Sequence, residues 1–571
     1  MRRGFFALYL LLMVTLACQG LVPAAPTPTL TSPPPTATVT ASPTPIATTP
    51  PTLTPPPIEL SDPADFDVRF HPDGGLYVGD LVSMEVIAPL DAEIDGNVSV
   101  QVVNGEGEIL GESTFAPFGI GGRQQATLEW MWDTAGLEAG AHDLSLALLP
   151  GDVTWTETIV LLPQEQLGLP ESESQWAIEE SDCCLLYYLA GTATERDIQA
   201  LGESADEQAQ DVADKFGIDF EEPIEITLMS RVIGHGGFAA GEIYISYLDR
   251  NYTGSDFDLV LHHEMVHILD SRLGGNLRPS MLAEGLAVYL TGGHFKPEPL
   301  MPRAAALLDL MVPDSSSDWY LPLEMLADSF YKSQHEIGYL QAGALVEYMV
   351  ETWGWDAFSS FYRDIHHPHG GKHSTAIDDA LVIHFGVTFA ELELLFREAL
   401  LEQNVTQDYR DDVRLTVYFY NTARRYQNAM DTSAYFLTAW LPDGPTMRQY
   451  GVVADFLRHP SSPEHITLEA LLVSADGYLQ IGRYREAAGT IRAVNWVLDA
   501  MDEGVAEPFL AHPVAASYYQ IAKVMIEQGY KLQQVQDQGE SVLVLVNEFG
   551  SELIPIQLDW VEGQWQMEQG Q

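Results

Sequence analysis

The sequence predicts a multidomain chain with an all-β sandwich near the N-terminus, a central α+β domain, and a C-terminal helical region that ends in a small α+β module. Three observations carry that prediction. Short alternating or continuous apolar runs, separated by Gly, Pro and Asp, fill residues 60–165. Strand-like and helix-like patterns then alternate from about 175 to 400. Helical periodicity dominates from 401 to 510, and strand patterns return in 511–571. With three cysteines in 571 residues, stability has to come from packed cores rather than a disulfide framework, and the length is ample for that.

The first 18 residues read as a signal segment. Arg2 and Arg3 precede an apolar run from Phe5 to Ala17 that is too short to span a bilayer. Thr15-Leu-Ala-Cys18 resembles a lipobox, which implies cleavage before Cys18 and lipid attachment there, so the mature protein is expected outside the cytoplasm, at the cell surface or secreted. Residues 19–59 are rich in Pro and Thr and lack the apolar content of a core, as an extended tether does.

Within 60–165, strands are predicted at Asp67–Phe70, Leu81–Ile87, Asn97–Val103, Ala126–Trp130, His142–Leu148 and Thr158–Leu162. The run from Trp132 to His142 resembles the closing part of bacterial immunoglobulin-like domains, and the region is expected to serve as a spacer or stabiliser. Further on, strands are predicted at Cys184–Leu189, Ile224–Leu228 and Glu242–Tyr247, with a helix over Thr194–Phe216. Adjacent Cys183 and Cys184 are expected to be two buried thiols, because a disulfide between neighbours is strained.

The chemistry gathers at Asp258–Asp270. Leu259, Val260, Leu261, Met265, Val266, Ile268 and Leu269 make this predicted helix apolar nearly all round, so it should be buried, with Ser255 or Asp256 capping its start and Gly274-Gly275 ending it. His263 and His267 are four apart, which places two imidazoles on one face where they can hold one cation. Glu264 projects beside that cation, where a carboxylate can take a proton from a metal-bound water. His262 is expected to be only a neighbour. An isolated HExxH is weak evidence, and the following segment strengthens it. Pro279-Ser280 starts a second apolar helix carrying Glu284, and 16 residues between His267 and Glu284 allow a loop and a return. A carboxylate from that helix would complete three protein ligands and leave one position for water, as catalytic zinc requires. Gly285 and Ala287 are small, which suits close packing of the two helices.

His263-Glu264-Met-Val-His267 followed by Glu284-Gly-Leu-Ala-Val-Tyr289 resembles the gluzincin metallopeptidases, in particular the bacterial peptidase MA-like families, over residues 175–400. The resemblance implies Zn²⁺ held by His263, His267 and Glu284, Glu264 as general base, and a peptide or protein substrate. A metzincin pattern is excluded, because the positions that would hold its glycine and third ligand are Asp270 and Leu273. The resemblance also places an edge strand for substrate pairing just before the metal helix, at Gly241–Ser246, and an oxyanion donor in the predicted helix Phe330–Tyr348. Tyr339 is the candidate there, with His335 one turn earlier in reserve. Ala240-Gly-Glu-Ile243 fits the acidic motif of aminopeptidases poorly, so that activity is disfavoured. Val288, four residues after Glu284, leaves the groups that orient the histidines unidentified.

His366, His367, His369 and His373 read as a solvated loop. Leu471–Ala487 resembles one helix-turn-helix repeat, and strands are predicted at 541–546, 553–558 and 564–567 with a turn at Glu562-Gly563. A net charge of −55 disfavours nucleic acid and anionic membrane surfaces as partners of the folded body, leaving only the lipid at Cys18 as a membrane contact. The expected function is hydrolysis of peptide bonds. The alternative is a surface binding or adhesion protein with a structural metal site, for which an intact Glu264 would have no use.

Overall fold

The computed structural model describes residues 65–567, apart from the short stretches 90–93, 95–96, 152, 313–316, 334, 367–370, 538–540 and 548–550. The signal and tether readings, Cys18 included, lie outside the described residues, as do His367 and His369.

Among the described residues, nine strands build the N-terminal region: β1 (Asp67–His71), β2 (Leu76–Tyr77), β3 (Leu81–Ile87), β4 (Ser99–Asn104), β5 (Ile109–Thr114), β6 (Ala116–Phe118), β7 (Arg123–Asp133), β8 (Gly140–Leu149) and β9 (Thr154–Leu162). They form two sheets, β1-β3-β7-β6 and β2-β9-β8-β4-β5. Val82, Met84 and Val86 of β3 share one core with Val100 and Val102 of β4 and Leu144, Leu146 and Leu148 of β8. That is the period-2 burial expected of facing sheets. β3 departs from it in a telling way, because Ser83 and Glu85 on its other face are buried as well. The cover comes from far along the chain. His71 stacks on Trp440 at 4.2 Å, Arg123 donates to the Thr438 carbonyl, and Arg69 to that of Thr432. Arg458 reaches back to Asp80, Glu171 and the Gly75 carbonyl. The region is therefore built into the rest of the molecule and is not an isolated spacer.

The central part holds β10 (Trp176–Glu180), β11 (Cys184–Leu189), helix α1 (Ala193–Phe216), β12 (Ile224–Met229), β13 (Gly237–Ala240) and β14 (Glu242–Ser246). The sheet order is β10-β11-β12-β14-β13. β11, β12 and β14 run parallel, and β10 and β13 close the edges antiparallel. The segment expected to be the edge, Gly241–Ser246, is thus an interior strand, and its continuous burial agrees. β13 is the edge instead. Its glycine and small residues gave no strand signal, and it is held in place by the tight connection to β14 through Gly241 at φ +85°. The structure also joins Cys183 and Cys184 in a disulfide, contrary to the expectation of two thiols. Cys183 sits on the bend entering β11, and Cys184 is the first residue of the strand.

Helices α2 (Phe257–Leu273), α3 (Ser280–Thr291) and α4 (His335–Trp353) pack with α1 on this sheet in one core. The C-terminal part contains α5 (Gln407–Met430), α6 (Pro463–Gln480), α7 (Tyr484–Asp502) and α8 (Pro513–Glu527). Its four-stranded sheet runs β15 (Lys531–Asp537), β16 (Ser541–Asn547), β17 (Ile554–Val561) and β18 (Gln564–Met567) in order. One core runs through these helices and the sheet, joining Phe419, Leu471 and Ile521 to Val544 and Leu558. Among the described residues, no helix is long and apolar enough to cross a membrane.

Candidate metal centre

Helix α2 starts where Asp256 caps it, accepting the Leu259 amide at 3.1 Å, and ends at Gly274. Leu261, Met265, Val266 and Leu269 are fully buried, so the helix is locked by packing on most of its circumference. That fixes the direction of the polar side chains it carries. Helix α3 starts directly after Pro279 and stops at Gly292, whose φ of +79° ends it in a left-handed cap. Gly285 decides where α3 lies. A Cβ there would stand 2.6 Å from the Ala342 carbonyl oxygen of α4, so the close approach is between α3 and α4. The expectation that Gly285 serves packing against α2 is corrected accordingly.

His263, His267 and Glu284 come together as expected. The two imidazole Nε2 atoms are 3.1 Å apart, and Glu284 Oε2 lies 3.3 Å from one and 3.2 Å from the other. Three donor atoms at these separations match the edges of a tetrahedron whose bonds are about 2.0 Å long, the length of zinc bonds to nitrogen and carboxylate oxygen. Two imidazoles and one carboxylate are also a donor set that zinc takes when a fourth position is left for water. The residues present therefore fit the ion.

The electrostatics agree with a site built for a cation. Burial alone would push the Glu284 carboxyl up, but His267 and His263 outweigh it and hold it well below the usual carboxylate range. Burial disfavours the charged form of His267, yet Glu284 lifts its pKa to about 9. Glu264 sits in the same cavity, and burial raises its pKa against the opposing pull of His267 and His263. His262 is a neighbour only, with Nδ1 2.9 Å from Thr291 Oγ1 and Nε2 2.8 Å from Asp211 Oδ2.

A group that sequence reading missed is Tyr331. Its hydroxyl donates to Glu284 Oε1 at 2.7 Å, fixing the carboxylate from the side away from the histidines. It precedes α4 on a separate turn, Phe330–Lys332, where a single continuous helix had been predicted. No partner holds His263 Nδ1 among the described residues.

A cavity of about 460 Å³ opens over these groups. Tyr339 and His335 both line it. Tyr339 is buried and stacks at 4.0 Å on His294, whose ring is 5.4 Å from that of His263. His294 Nε2 lies 3.3 Å from His335 Nε2. His294 also escaped the sequence reading, although it follows directly on the Gly292-Gly293 stop of α3. All four residues of the edge strand β13 face the cavity. Glu242 does not: it is buried in an ion pair with Arg448, with Nη2 2.9 Å from Oε2. His366 is exposed beside Asn276, and His373 begins a helix, away from the site.

No protein-family model and no curated protein matches the chain. The functional reading therefore stands on the geometry.

Proposed function

We propose that the chain is a zinc-dependent metallopeptidase of the gluzincin kind, hydrolysing peptide bonds outside the cytoplasm. One observation carries the reading: three donor atoms from two helices converge at 3.1–3.3 Å with a separate carboxylate, Glu264, in the same cavity. Zinc bound there supplies a Lewis acid and lowers the pKa of water to near neutrality. His263, His267 and Glu284 hold the ion, and Tyr331 keeps Glu284 turned toward it. Glu264 is the general base: it accepts the proton of the attacking water at a carboxylate oxygen and delivers it to the leaving amine. Burial suits it to that work, because a raised carboxyl pKa makes the group a better proton acceptor near neutral pH. In this reading Tyr339, which lines the cavity, donates its phenol hydrogen to the developing oxyanion, with His335 as the alternative donor. Among the described residues β13 has a partner strand on one side only, so its other edge can pair with an extended substrate backbone. Export and lipid attachment at Cys18 belong to this proposal on the strength of residues 1–18 alone.

The test pairs metal analysis with peptidase assays of the full chain and Glu264→Gln. The expected result is near-stoichiometric zinc in both proteins, chelator-sensitive cleavage by the first and a loss of at least a hundredfold in the second. Equal biological activity of the two proteins would favour the adhesion reading instead.

A further inference from the structure

The metal cavity has a wall that the central domain does not supply. Gly119 and Ile120, from the hairpin loop between β6 and β7 of the N-terminal sheets, line it together with Phe436, Leu437, Ala439 and Leu441. The loop is pinned there. The Gly121 amide donates to the Leu437 carbonyl at 3.2 Å, and Arg123 donates to that of Thr438. Gly119, at φ +65°, lies so close that a Cβ would stand 2.2 Å from the Leu437 oxygen, so no other residue fits without moving one chain. The 436–441 segment is itself anchored, because Trp440 donates to Asp455 Oδ1 at 2.9 Å and stacks under His71. Against this rigid backing Ile120 is 53% exposed, a large apolar side chain held in solvent at the cavity wall.

We infer that this composite wall is a substrate-selecting surface: Ile120 and the 436–441 segment receive a bulky apolar side chain of an extended peptide lying along β13. The inference rests on the peptidase reading and names its substrate class, unfolded or short polypeptides with an apolar residue beside the cleaved bond. The lining carries the argument. Apart from the candidate metal-site groups and the helix-capping Asp256, Lys332 is the only charged residue among the described residues that line the cavity. Phe238 and Val260 add further apolar surface to the same cavity. An acidic side chain would be desolvated there with little to pair it, within a chain of net charge −55. A volume of about 460 Å³ is in the range that encloses a ligand of a few residues and is too small for a folded surface.

The test uses the zinc-loaded full chain, Ile120→Asp and the conservative Ile120→Leu, on matched peptides that carry Leu, Phe, Glu or Lys at each position flanking the cleaved bond. The wild type should favour Leu and Phe over Glu by tenfold or more in kcat/KM. Ile120→Asp should lose about tenfold on the apolar peptides, chiefly through KM, and shift preference toward Lys, while Ile120→Leu stays near wild type. Thermal midpoints and zinc content should not change. A second readout needs no catalysis: binding of a fluorescent Leu-containing peptide to the Glu264→Gln chain, with and without Ile120→Asp. Weaker binding on adding the aspartate supports the wall even if no peptide is cleaved, in which case the peptidase reading alone fails. Unchanged peptide binding and unchanged preference in Ile120→Asp would overturn the wall, whether or not cleavage is seen.

Discussion

The Tyr331 hydroxyl and the Glu284 carboxylate are joined by a 2.7 Å hydrogen bond on Oε1, while Oε2 faces both histidines. The bond orients a candidate metal ligand through the oxygen that does not face the histidines. Tyr331→Phe should therefore weaken zinc affinity by roughly 10–100-fold, the usual cost of losing such a support. Competition with a zinc-binding dye reads this directly. An unchanged affinity would show that α3 packing alone fixes the carboxylate.

Gly285→Ala tests how α3 is seated. The added methyl meets the Ala342 carbonyl oxygen at 2.6 Å, and backbone gives way only by moving the helix. We expect a loss of about 1–3 kcal/mol, the range for forced overpacking, with zinc affinity falling as Glu284 shifts. Denaturant unfolding and zinc titration of the variant check both parts.

The N-terminal sheets are held by Arg458, whose guanidinium pairs with Asp80 at 2.8 Å and also with Glu171. All three side chains are nearly buried, so Arg458→Ala leaves two carboxylates without their partner. The expected cost is about 3–5 kcal/mol. Because the same sheets carry Ile120, limited proteolysis should cut the variant between the N-terminal region and the centre faster than the wild type.

Asp476 gives the chain a defined pH response. Burial raises its pKa to about 7, with Gln480 and Lys296 opposing, while in the unfolded chain it titrates near the ordinary value of 3.8. The folded state thus binds a proton that the unfolded state has lost. This stability is fully present below pH 4 and disappears as pH rises through 7. Asn cannot titrate, so Asp476→Asn should gain about 2 kcal/mol over wild type between pH 5.5 and 8. Thermal unfolding of the pair at both pH values is the measurement, and parallel curves would count against the shift.

Much of the candidate site was legible because it obeys local rules. Spacing of four on one helix fixes the relation of His263 to His267, and an apolar surround with a capping Asp256 and a stop at Gly274 defines that helix without reference to anything distant. Six strands of the N-terminal sheets, β1, β3, β4, β7, β8 and β9, were legible through their apolar runs, whereas β2, β5 and β6 were not predicted. Edge strand β13 was not, because Gly237, Ala239 and Ala240 carry no periodic signal, and only pairing with β14 makes them a strand.

By itself, the sequence determined that two imidazoles share a helix face, that a carboxylate follows on a second helix, and that sheets precede and follow this unit. Tertiary structure alone decided that Tyr331 braces Glu284, that His294 and Tyr339 stack beside the candidate ligands, and that Ile120 reaches the cavity from 143 residues before His263. The reason is physical. Helix and strand periodicities are set by backbone geometry within a few residues, whereas a cavity wall depends on which buried faces close against one another, and those contacts have no fixed separation along the chain.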